Sequence, residues 1–236
     1  MERTGLGIRE HQFSPDCDLA QRPEDGRRQQ DVEAYSLLTR LGKRVVFKAK
    51  QQIFGRGDRA SNLLCIQSGI VISYRTTSSG RRAIMTMYRA GDLLGLNSAE
   101  YHTAACEAAT PVAAFLVSRE AVMGMAEDDP RLARALLAIS MKQSGRGEDR
   151  IELFAATATE RVCSFILRMA GQSTRSDFAD LPMRRQDIAD YLGLTTETVC
   201  RTITQLRNSK IIRLETVRRA RILNRTTLER MSGASI

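Results

Sequence analysis

Between Leu181 and Ile212 the segment LPMRRQDIADYLGLTTETVCRTITQLRNSKII leaves the chain little conformational choice. Ile188, Ala189 and Leu192 supply the buried face of a first helix. Gly193 is placed to turn the backbone, and Leu194 to fill the corner after it. Thr195 suits the N-cap of a second helix, with Glu197 in a first turn where the helix dipole favours a carboxylate. Val199, Ile203 and Leu206 then fall at i, i+4 and i+7 on one face. This spacing predicts a helix-turn-helix whose second helix runs from Thr196 to about Asn208.

The opposite face carries Thr196, Glu197, Cys200, Arg201 and Thr204. An arginine can donate two parallel hydrogen bonds to O6 and N7 of guanine and a carboxylate can accept from N4 of cytosine, each good pair discriminating by about 1–3 kcal/mol. Glu197 and Arg201 stand four apart, so they share a face and can brace one another; alone, such a pair is as well explained by a solvated ion pair. The next segment, KIIRLETVRRARILN, holds two short strand-like runs around a turn near Glu215 to Val217. Arg218, Arg219 and Arg221 would then lie on or beside a wing, neutralising phosphates without reading sequence. Thr195, Thr204, Arg184 and Arg185 are further candidates for phosphate contacts.

The charge distribution agrees. The net charge is +9, and from Glu160 onward 14 Lys/Arg stand against 8 Asp/Glu, so the excess is concentrated in the last third. No run approaches the roughly 18 apolar residues of a membrane span, and the N-terminus lacks a signal-peptide core, so the chain reads as cytoplasmic with no membrane partner. Cys17, Cys65, Cys106, Cys163 and Cys200 are scattered without a CxxC pair and read as free thiols.

With 236 residues the chain has room for two compact domains. Residues 1–30 are polar and aperiodic and read as a mobile arm. Residues 31–128 hold short apolar runs (RVVFKA, QQIF, NLLCIQ, GIVISYR, RAIMTMYRA, AAFLV) punctuated by glycines, as strands of a small all-β barrel or sandwich would be, with TTSSGRR as a hairpin loop. Over 129–156 the period lengthens: Leu132, Leu136, Ile139, Ile151 and Phe154 give a helix one apolar stripe, suited to pairing with its twin or to packing on its own barrel. Gly145 and Gly147 each weaken that helix by about 1 kcal/mol. A further helix, ATERVCSFILRMAG, opens the DNA-binding domain over 157–236.

From about Val45 to Asn224 the chain resembles the Crp/Fnr superfamily, and within it the Fnr and FixK-like branch. The resemblance rests on FGRGD (Phe54 to Asp58), IQSGIV (Ile66 to Val71), GDLLGL (Gly91 to Leu96), ERVCSFIL and the E-T-V-x-R pattern of the second helix. It implies an α+β architecture: an N-terminal cyclic-nucleotide-binding-like β barrel, a long dimerisation helix and a C-terminal winged helix-turn-helix, acting as a homodimer on a two-fold symmetric site. It makes Glu197 and Arg201 the base readers of a TTGA-type half-site and its inverted partner, and puts Thr196 where family members adjust the outer base. Cys200 departs from the Ser common in the Fnr branch. RNA polymerase is the partner implied for activation, with the loop Thr76 to Arg82 as a contact point.

The family's sensors are tested residue by residue. Cyclic nucleotide binding needs a Glu and an Arg-Ser pair after the GD-x-x-G motif, but His102 and Thr103 stand about where that pair would fall, so the phosphate loses its strongest charge-assisted bond. An iron-sulfur cluster needs three closely spaced cysteines near the N-terminus, where only Cys17 is present. Only His11 and His102 are available to haem, and the same scarcity argues against a metalloenzyme on a cupin-like barrel. No cofactor is therefore expected. A regulator controlled by abundance, a sensor gated by an unidentified small molecule or a haem-bound gas, and a redox switch at Cys200 stay open; oxidation there would add bulk or charge beside the phosphates.

Overall fold

The computed structural model describes residues 29–78, 80–96, 100–171 and 177–233. The arm read over residues 1–30 lies outside them, apart from the two glutamines that open the first helix. In chain order α1 (Gln29–Leu41) leads into β1 (Lys43–Phe47), β2 (Gln52–Phe54), β3 (Asn62–Ser68), β4 (Ile70–Thr76), β5 (Arg82–Arg89), β6 (Leu93–Leu94), β7 (Ala105–Ala108) and β8 (Val112–Ser118). Then come α2 (Arg119–Asp128) and α3 (Pro130–Ala155).

The strands form two four-stranded sheets, β1-β8-β3-β6 and β2-β7-β4-β5. Each sheet keeps its own edges, so the expected barrel is an open sandwich: β6 is only two residues long and pairs with β3 through Leu93 and Leu94. Strand alternation decides what each residue faces. Leu64 and Ile66 of β3 pack with Val45, Ile53, Val71 and Ala108 between the sheets, whereas Leu63 and Cys65 point the other way, to the helices. Gly69, in the turn after β3, has φ +87°, and a Cβ there would lie 2.2 Å from the Pro111 carbonyl oxygen.

The helices account for the other side of β3, and here one expectation changes. Leu132, Leu136 and Ile139 are 2, 6 and 9% exposed and pack with Leu38, Leu63, Leu93, Val117 and Val122 of their own domain. A helical period shows which residues share a face but not what covers it, and this face is covered by the chain's own sheet. Gln143 fastens the helix further, its buried side-chain amide donating to the Leu93 carbonyl at 3.0 Å. Among the described side chains of α3, the large apolar residues left exposed are Leu137 and Met141. The helix runs unbroken through Gly145 and Gly147; Ile151 and Phe154 belong to it, but their side chains lie outside the described residues.

The chain divides into two compact units, with one boundary inside α3 after Gly145 and the segment Thr76–Met85 grouped with the second unit. Beyond it come α4 (Ala158–Ala170), β9 (Phe178–Asp180), α5 (Arg185–Leu192), α6 (Thr196–Asn208), β10 (Ile212–Thr216), β11 (Arg219–Ile222) and α7 (Arg225–Met231). A capping box opens α4: the Thr157 hydroxyl accepts from the Glu160 N–H while the Glu160 carboxylate accepts from the Thr157 N–H. Val162, Phe165 and Ile166 bury its inner face, and its Arg161 donates to the Leu192 carbonyl at 3.0 Å, satisfying the end of α5. Among the described residues no helix is long and apolar enough to cross a membrane.

Candidate nucleic-acid interface

The turn of the helix-turn-helix is built where the local signals lie. Gly193 caps α5 in the left-handed region at φ 65°, ψ 35°, and the N–H of Leu194 donates to the Ala189 carbonyl at 2.9 Å. Thr195 caps α6, accepting from the Thr198 N–H at 3.1 Å. Val199, Ile203 and Leu206 are buried as expected, and so is Thr202, whose hydroxyl donates to the Thr198 carbonyl at 2.9 Å.

Glu197, Cys200, Arg201 and Thr204 are all exposed. Among the described residues no ion pair joins Glu197 to Arg201, so the anticipated brace is not made and both polar ends stay open. Thr196 is half-buried and its hydroxyl is engaged: it donates to Oε1 of Gln186 at 2.6 Å, and Nε2 of Gln186 donates to Oδ1 of Asp190 at 2.8 Å. Sequence reading missed Gln186, because a contact between two helices has no local signature.

The basic residues divide into two groups. Arg184 grips Asp187 with two hydrogen bonds of 2.8 Å. Arg185 donates to the carbonyl of Val217 at 3.1 Å, tying α5 to the wing, and its other terminal nitrogen is buried without a partner. Burial lowers its pKa, while Cys200, within electrostatic reach, pulls the other way. Both arginines, expected on phosphates, are thus held by intramolecular partners first. The sheet order β10-β11-β9 makes Phe178 a platform that sequence reading missed. Arg219 lies over its ring at 4.6 Å and 3.4 Å from Asp180; Arg221 lies at 5.6 Å and 3.3 Å from Asp177. Arg218 is exposed beside the wing tip at Val217, which is 78% exposed.

The thiols also separate. Burial pushes Cys65 up to about 12 and Cys163 up to about 11, and pushes Cys106 up as well. Cys200 is the exposed cysteine among those described. In the first domain His102 is buried and stacked flat on Phe54 with centroids 3.5 Å apart. Burial, with Arg119 adding to it against Asp58, lowers its pKa, so it supplies no cation at neutral pH. Standing where a phosphate clamp would be, it does not fit one.

Two family models match this chain: a cyclic nucleotide-binding domain over residues 44–129 and a Crp-like helix-turn-helix domain over residues 160–231. The nitrogen fixation regulation protein FixK of Azorhizobium caulinodans is 35% identical over 203 residues, 84% of this chain and 82% of the relative. A probable transcriptional activator of Rhizobium leguminosarum bv. viciae is 31% identical over 202 residues, 84% of each chain. Among solved structures, FixK2 from Bradyrhizobium japonicum matches with a TM-score of 0.78 at 33% identity, over 83% of this chain and 99% of that one. The chain belongs to the Crp/Fnr family of DNA-binding transcriptional regulators, a family of regulators and not of enzymes, in its FixK-like branch.

Proposed function

We propose that the protein binds a TTGA-N6-TCAA-like palindrome as a homodimer and activates transcription through contact with RNA polymerase, without a cyclic nucleotide or an iron-sulfur cluster. The carrying observation is the exposed row Glu197, Cys200, Arg201 and Thr204 on a helix whose other face is fully packed. Two of these residues have the chemistry of a G·C pair: Arg201 donates to guanine and Glu197 accepts from cytosine. Arg218 is free to approach phosphate, and Thr195 and Thr204 lie at the ends of the same surface. Leu137 and Met141, 60% and 67% exposed, support pairing through α3, and Ile151 follows Leu137 by two heptads. The neutral His102 at the clamp position and the separate buried thiols support action without those cofactors.

The test is fluorescence anisotropy of the reduced protein with a duplex carrying TTGA and TCAA half-sites against a scrambled duplex at fixed salt. Selective binding is expected; equal binding to both duplexes refutes the operator reading. Cys200 supports a second reading, in which oxidation gates binding: it is exposed on the DNA-facing row beside Arg185. Diamide should then weaken operator binding by the wild type and spare Cys200→Ser, and equal sensitivity of the two excludes it.

A further inference from the structure

We propose that Gln186 sets the hydrogen-bond polarity of Thr196, so that α6 meets the outer base pair of each half-site with an oxygen that only accepts. This role rests on the operator reading and adds a specificity residue that acts through Thr196.

Asp190, Gln186 and Thr196 are joined in one line of hydrogen bonds. A carboxylate only accepts, so the side-chain amide of Gln186 must turn its NH₂ to Asp190, at 2.8 Å. That turns Oε1 to Thr196, and the single hydroxyl proton of Thr196 is spent on it at 2.6 Å. The assignment of the amide is thereby fixed by the network. A free threonine hydroxyl reads donors and acceptors alike, but this one has only lone pairs left. In the major groove adenine N6 and cytosine N4 are donors, whereas guanine offers only acceptors. Thr196 should therefore favour adenine or cytosine over guanine on the strand it faces.

The experiment is selection of operator duplexes with randomised half-sites by the full-length dimer, read by sequencing, for wild type, Gln186→Ala, Gln186→Glu, Asp190→Asn and Thr196→Val. For the wild type, guanine at the outer position should be depleted about five-fold, the worth of one net hydrogen bond. Gln186→Ala frees the hydroxyl and Thr196→Val removes it, and in both the depletion should shrink below about two-fold. Gln186→Glu still accepts from Thr196 and should retain it. Asp190→Asn lets the amide turn over, so that Thr196 can donate outward and guanine is recovered. An intact inner G·C selection with an outer preference unchanged by Gln186→Ala or Thr196→Val overturns this inference alone. Absence of inner selection in the wild type overturns the operator reading and this inference with it.

Discussion

Arg184 holds Asp187 through two parallel hydrogen bonds of 2.8 Å, with the carboxylate side chain 1% exposed and the guanidinium 40% exposed. Two bonds in one plane are the strongest arrangement available to this pair, and Asp187 also sits in the first turn of α5, where the helix dipole favours it. Arg184→Ala leaves a buried carboxylate without its partner and should destabilise the domain by about 1–3 kcal/mol, less than the roughly 3–5 kcal/mol of a fully buried pair because Arg184 is partly solvated. Thermal unfolding checks this. A variant as stable as wild type that binds DNA less tightly would return Arg184 to the phosphate contacts.

Arg201 and Arg218 differ in what they can meet, and their variants should separate. Arg201→Ala should relax the preference at one symmetric pair of positions by about 1–3 kcal/mol while leaving other positions alone. Arg218→Ala should weaken binding to all sequences alike and reduce the slope of log K against log salt by about 1. Arg219→Ala should do less than Arg218→Ala, because Asp180 at 3.4 Å already offsets part of its charge. Affinity titrations on operator and scrambled duplexes across a salt series measure all three, and loss of base selectivity in Arg218→Ala would mean that the wing reads sequence.

The two helices of the motif were legible because their boundaries are set by residues within one turn of each end: Gly193, Thr195 and the apolar triplets on either side. The sandwich was legible as strands but not as sheets, since β1 pairs with β8 across most of the domain and no local signal records that. The brief strand β9 was missed for the same reason, as Phe178–Asp180 is a strand only because β11 lies beside it. With it went the acidic partners of Arg219 and Arg221. The last helix, α7, has a readable start, Asn224 accepting from the Thr227 N–H at 2.9 Å, which a search for caps would have found. The α3 stripe shows the opposite limit: the period correctly put Leu132, Leu136 and Ile139 on one face, but the chain's own sheet and helices cover those three residues.

That reassignment predicts a division of labour on α3. Leu136→Ala should cost about 2–5 kcal/mol in unfolding, since the side chain is 6% exposed in a packed cluster. Leu137→Glu with Met141→Glu should leave the fold intact and yield monomers, because these residues are 60% and 67% exposed. Sedimentation velocity distinguishes the two effects, and a double variant that remains dimeric would place the interface elsewhere.

The stack of His102 on Phe54 makes the first domain sensitive to mild acid. Its pKa is lowered from 6.5, chiefly by burial, so the unfolded chain takes up a proton more readily than the folded one. The stability contributed by the neutral ring is therefore present in full above pH 6.5 and is lost as pH falls from 6.5 through the lowered folded value. Urea midpoints should fall between about pH 7.5 and about pH 5.5, a window above the usual range of carboxylate titration. His102→Gln, which cannot titrate, should begin from a lower midpoint because it gives up the ring stack, and should vary less across the window. A wild-type slope retained in His102→Gln would assign the acid sensitivity to other groups.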